Sequence, residues 1–134
     1  MEAYMTLNTE TIEMIKTFDW IRTRPDIEPF AWHTANERKT SPQAGRLLKR
    51  MGVKAGIADI FIAIPNPIYH GLFIEMKVNN GKLSKEQRQF IGGMNSQGYM
   101  ALCCYSYESA RSEIENYIAM KSSVVYHPGF YCGY

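Results

Sequence analysis

Two carboxylates and one ammonium stand in this chain where apolar packing cannot account for them. The stretch from Gly56 to Lys77 reads GIADIFIAIPNPIYHGLFIEMK. It holds two apolar runs joined by a Pro/Asn/Gly loop. Asp59 opens the first run, and Glu75 lies inside the second, two residues before Lys77. A carboxylate within an apolar strand is costly unless it is paired or bound to a cation. Strand alternation puts Glu75 and Lys77 on one face, and in an antiparallel pair Asp59 projects to that face too. The Met76 side chain turns to the other face, into a core, while its backbone carbonyl can reach a cation held between the strands. Mg²⁺ takes hard oxygen ligands and keeps several waters, so Asp59, Glu75 and the Met76 carbonyl form a suitable set. A cation there would activate a water and stabilise phosphorane-like charge. Lys77 suits orienting or deprotonating that water, or stabilising the charge. This is the chemistry of metal-dependent phosphodiester hydrolysis. The ordinary alternatives are a strand-start aspartate and a solvent-facing Glu–Lys pair on an edge strand, and their joint occurrence in one basic segment argues against both.

The charge pattern points to a polyanion. From Arg38 to Lys54 there are six basic residues and no acidic one. From Arg38 to Arg88 there are ten of the fifteen basic residues and three of the thirteen acidic ones, and two of those three are Asp59 and Glu75. The carboxylates therefore sit in the basic part of the chain, which suits a polyanionic partner, the ordinary alternative being a solvated face. Arg38, Lys39, Arg46, Lys49, Arg50 and Lys54 are the residues expected to bind such a partner, DNA in the family reading given below.

The elements that must position these groups follow from caps and periodicity. A first helix runs from Glu10 to about Arg22, with Thr9 as its N-cap and Met14, Ile15, Phe18 and Ile21 as its apolar stripe. Phe30 to His33 is a short strand, and Asn36 to Thr40 a polar loop. Ser41-Pro42 starts a second helix that ends at Met51, with Gly52 past its end. Two strands follow, about Asp59 to Ile64 and Leu72 to Val78, close enough for an antiparallel hairpin. Asn79-Asn80-Gly81 is a turn. Ser84 to Gln97 is a helix with a Ser84/Gln87 capping box. Tyr99 to Tyr105 is a buried strand, and Ser106 caps a last helix ending near Met120. The order predicts an α/β fold: a central mixed sheet flanked by helices.

With 134 residues the chain is expected to be one domain, with a core over about 9–120 and a tail over 121–134. No apolar run approaches the roughly 20 residues of a membrane span, and the polar N-terminus lacks a signal peptide's apolar region. A cytoplasmic protein is expected. Cys103, Cys104 and Cys132 show no zinc-site spacing and read as reduced thiols.

At these residues the chain resembles the VRR-NUC domain (virus-type replication-repair nuclease), a branch of the PD-(D/E)XK nuclease superfamily. The similarity extends from the first helix to about Ile118. The family pattern sets G-x-P-D before one strand and E-x-K on the next. Here these are Gly56-Ile57-Ala58-Asp59 and Glu75-Met76-Lys77, with Ala58 in place of proline. The flanking stretches Lys49 to Gly56, Tyr69 to Ile74 and Leu83 to Gln87 are similar as well. The resemblance implies the PD-(D/E)XK core and a Mg²⁺- or Mn²⁺-dependent DNA endonuclease with no organic cofactor and no membrane partner. It also implies a homodimer acting on branched DNA such as four-way (Holliday) junctions. Activity on flaps, ends or single strands, and a non-catalytic DNA-binding module, are the alternatives. The family places an acidic metal ligand on the first helix. Glu10 and Glu13 compete for that role, and helical geometry favours Glu10, four residues before Met14 and nearer the inward face. The glutamine that usually follows this acid is Met14 here. Gln87 has two compatible readings: a catalytic-side polar residue, as the family motif suggests, and the reciprocal half of the capping box. Tyr126, Phe130, Tyr131 and Tyr134 in the tail offer a surface for the homodimer.

Overall fold

The computed structural model describes residues 7–35 and 41–120. Asn36, Arg38, Lys39, Cys132 and the aromatic tail lie outside the described residues.

Helix α1 covers Thr9–Ile21, and a 3-10 turn, Glu28–Phe30, leads into strand β1, Ala31–His33. Helix α2 is Pro42–Arg50, strand β2 Ile60–Ile62, and strand β3 Leu72–Met76. Helix α3 is Lys85–Ser96, strand β4 Met100–Cys104, and helix α4 Tyr107–Ala119. The sheet order is β1-β2-β3-β4. The first two pairings are antiparallel and the third is parallel, so the sheet is mixed and the fold α/β, as expected.

The caps explain most of the boundaries. Ser41, Ser84 and Ser106 cap α2, α3 and α4 through their side chains. The cap of α1 is Asn8 rather than Thr9. Its Oδ1 accepts a bond from the Thr11 amide at 2.8 Å, and the stronger capping residue takes the position. The strands are shorter than the apolar runs. β2 begins one residue after Asp59, because the Asp59 side chain rather than a β2 backbone carbonyl receives the Met76 amide.

Period-two alternation divides the sheet into two apolar faces. Ile60, Ile62, Leu72, Ile74, Met76 and Cys104 pack with Trp20 and Ile21 of α1 and with Ala110, Ile114 and Tyr117 of α4. Each fully buried Ile or Leu contributes about 1.5–3 kcal/mol, so this layer fixes the sheet to both helices. On the other face Phe73 and Ala101 pack with Phe61 and with Phe90, Ile91 and Met94 of α3, and Ala58, which precedes β2 and its alternation, joins them. The stripe expected on α1 is widened by Trp20, which is buried and carries the guanidinium groups of Arg24 and Arg111 over its ring.

The pairing directions have one consequence for position. β1, β3 and β4 end, and β2 begins, at the same end of the sheet. His33, Asp59, Glu75, Lys77 and the start of α4 therefore meet there.

Candidate active site

Asp59 is held from three sides. Gly56 opens its approach at φ +84, and a Cβ there would lie 2.6 Å from the Glu86 backbone. Only glycine allows both this left-handed conformation and this close approach to the first turn of α3. Ala58, in the family's proline position, is buried. The Asp59 carbonyl accepts the Thr34 amide at 2.7 Å, extending the β1–β2 ladder, and also accepts the His33 Nδ1–H at 2.7 Å. Asp59 Oδ2 accepts the Met76 amide at 2.8 Å. In an extended strand the N–H and C=O of one residue point to the same edge. The Met76 carbonyl thus faces the Asp59 side, while the neighbouring Lys77 amide turns the other way to the Cys104 carbonyl.

Glu75 is 1 % exposed. Its Oε1 accepts a bond from Gln87 Nε2 at 2.7 Å and lies 3.8 Å from Lys77 Nζ. Its Oε2 is buried with no hydrogen-bond partner. Burial pushes the Glu75 carboxyl up to about 8, the negative charge of Asp59 pushes the same way, and Lys77 only partly offsets them.

Gln87 closes the expected capping box and at the same time reaches Glu75. Its Oε1 accepts the Ser84 amide at 2.8 Å, and the Gln87 amide donates to Ser84 Oγ at 3.1 Å. With the carbonyl end of the side chain fixed in the capping box, the NH₂ end is aimed at Glu75. The helix start and the carboxylate are thus locked by one side chain.

An unpartnered carboxylate oxygen, a second carboxylate and a carbonyl facing them form a hard oxygen set that fits Mg²⁺ or Mn²⁺. Among the described residues no group of three or more His, Cys, Asp and Glu side chains is gathered for a metal. Glu10 is therefore not assembled with Asp59 and Glu75 into such a cluster. Glu13 is engaged elsewhere. Its Oε1 accepts the Tyr107 amide at 3.2 Å, and its Oε2 pairs with Lys16. That bond ties α1 to the start of α4, at the sheet end where Glu75 sits. Glu10, one turn earlier on α1, stands at the same end.

The basic residues Arg46, Lys49 and Arg50 lie exposed on α2, and Lys54 follows them, also exposed. Helix α2 belongs to the connection between β1 and β2, which leaves and re-enters the sheet beside Asp59. Cys103 and Cys104 are free thiols, and Cys103 is the register partner of Glu75 on β4. The bond from His33 to the Asp59 carbonyl joins residues 26 positions apart and has no local signature in the sequence.

Comparison with known proteins agrees with this architecture. A solved structure described as a VRR_NUC domain protein is similar at a TM-score of 0.74 and 29% identity, covering 87% of this chain and 93% of its own. No curated protein matches. The sheet and its helices are those of a PD-(D/E)XK-like nuclease fold. The family model of the VRR-NUC domain matches residues 19–108. This span takes in the whole sheet and the cluster of Asp59, Glu75, Lys77 and Gln87, and the chain belongs to the VRR-NUC domain family.

Proposed function

We propose that this chain is a divalent-metal-dependent DNA endonuclease that cuts branched DNA as a homodimer. Membership of the VRR-NUC family itself implies a nuclease-type function with DNA as substrate. The observation that carries the finer reading is the buried Oε2 of Glu75, which has no hydrogen-bond partner and lies in a cluster with Asp59 and Lys77. A buried carboxylate oxygen without a partner costs more than a fold retains without use, and a bound cation would complete it.

In this reading Asp59, Glu75 and the Met76 carbonyl hold Mg²⁺ or Mn²⁺, and Glu10 of α1, which is not gathered with them into a cluster among the described residues, joins as a further ligand when the cation binds. The cation, when bound, supplies positive charge near the scissile phosphate and acidifies a water. Gln87 holds Oε1 of Glu75, so that Oε2 remains turned to the cation. Lys77 keeps its ammonium beside Glu75 and can donate to the charge that builds on the phosphate. Arg46, Lys49, Arg50 and Lys54 bind the DNA backbone at the same end of the molecule, and Arg38 and Lys39, outside the described residues, complete the basic set. A four-way junction presents two symmetry-related strands, and a two-fold dimer brings one site to each. No helix among the described residues is long and apolar enough to cross a membrane.

The test is a Mg²⁺-dependent cleavage assay on a four-way junction, a flap, a splayed arm, a duplex and a single strand. Asp59→Asn and Glu75→Gln should each abolish cleavage and keep DNA binding, and Lys77→Ala should slow it by roughly 10²–10⁴-fold. A near-parental rate in either carboxylate variant refutes the assignment. Preference for the flap or single strand over the junction would replace the branched-DNA reading.

A further inference from the structure

The face of the sheet that bears the carboxylates also bears an exposed aromatic side chain that the nuclease chemistry does not use. Trp32 on β1 is the register partner of Phe61, and Phe61 of Phe73. Asp59 lies two residues from Phe61 and Glu75 two from Phe73, so alternation sets Trp32, Phe61, Phe73 and both carboxylates on one face. The aromatic rings form a row. Trp32 meets Phe61 edge to face at 5.1 Å and 79°. Phe61 stacks on Phe73 at 4.2 Å, and Phe73 meets Phe90 of α3 at 5.1 Å. Helix α3 covers this row at its Phe73 end. At the other end Trp32 is 47% exposed, and Phe30, just before it, is 50% exposed. Trp20, the other tryptophan, is buried at 8%.

A tryptophan is large and apolar, and among the described residues the ring contact of Trp32 is with Phe61 on one side. With a strand spacing near 4.8 Å and a rise near 3.3 Å per residue, the Trp32 backbone lies about 8 Å from that of Asp59. The acid-free basic helix α2 leaves the sheet at the same end. An occupant must therefore combine negative charge for α2 with a flat apolar group for Trp32, and both must belong to the molecule whose phosphate meets Asp59 and Glu75. Nucleic acid has both, but a base within a duplex keeps its faces covered by its neighbours. We infer that Trp32 is a stacking platform for an unpaired nucleobase next to the scissile phosphate. It would give this nuclease a preference for DNA whose stacking is interrupted. This inference rests on the proposed function and deepens it.

The experiment uses the full chain carrying Glu75→Gln, which is expected to bind without cutting. The probes are two oligonucleotide duplexes of equal length, each with 2-aminopurine, one at an unpaired bulge and one fully paired. Binding should quench the bright, unstacked bulged probe and leave the already dim emission of the stacked, paired probe unchanged. Adding Trp32→Ala should weaken binding of the bulged probe by roughly 5- to 100-fold, abolish the quench and leave the paired probe's affinity unchanged. Trp32→Tyr should retain most of the affinity. Trp32→Leu keeps apolar contact with Phe61 but offers no ring, and should behave as the alanine variant does. The emission of buried Trp20 reports that each variant is folded. Equal affinity of the leucine variant and its parent for the bulged probe overturns the inference, as does equal loss on both probes. Failure of the parent to bind either probe overturns the nuclease reading itself and this inference with it.

Discussion

At the scale of single residues, the cost of the site is concentrated on Glu75. Its carboxyl titrates near 8 because it is buried beside Asp59, whereas in the unfolded chain it titrates near 4.3. Between these values the folded protein binds more protons than the unfolded one. Stability of the metal-free protein is therefore greatest below the unfolded value. It falls as pH rises and levels off above about 8. The expected loss amounts to a few kcal/mol. Thermal unfolding in EDTA across pH 5 to 9 should show this slope. Glu75→Gln should flatten it and raise the melting temperature at neutral pH. Added Mg²⁺ should restore stability to the parent above pH 7 but not to the variant. A parent protein whose stability rises over that window would contradict the burial argument. The two carboxylates were legible in the sequence because ionised groups in apolar strands violate a strong rule. His33 was not, since its contact depends on how β1 aligns with β2.

At the scale of elements, two devices set the site. The first is Gly56, whose positive φ and close approach to Glu86 seat the Asp59 segment on the first turn of α3. Gly56→Ala meets both a steric and a conformational obstacle. It should destabilise the fold by about 1–3 kcal/mol and depress cleavage further than the stability loss explains, because Asp59 moves with the loop. Calorimetry and cleavage rates on one preparation separate the two effects. The second is the capping box, in which Gln87 serves helix α3 and Glu75 together. The box could be read from Ser84 and Gln87 three residues apart. Its reach to Glu75 follows from the packing of α3 on β3, which local sequence does not encode. The α1 cap was a closer choice: Asn8 and Thr9 are both competent caps, and the stronger of the two, Asn8, takes the position. The tryptophan missing from the expected α1 stripe is buried by contacts with residues of α4 and with its own following turn, again non-local.

At the scale of the whole molecule, charge and shape are gathered at one end. The β1–β2 connection, with its basic helix, opens beside the carboxylates. Replacing Arg46, Lys49 and Arg50 with Ala together should lower the slope of log affinity against log salt by about 2 to 3 and weaken binding to all DNA forms alike. An unchanged slope would put the DNA elsewhere. Sedimentation at micromolar concentration, with and without junction DNA, checks the proposed dimer, and a persistent monomer would exclude paired cutting. The α/β order and the antiparallel β2–β3 hairpin were readable from periodicity and turns. The parallel pairing of β4 required the crossover through α3. Strand β1 is, among the described residues, an edge strand, and it has only three residues. So short an edge offers too few free backbone groups to recruit a strand from another molecule. The exposed Trp32 ring it carries can therefore face a ligand without the backbone beneath it seeding edge-to-edge aggregation.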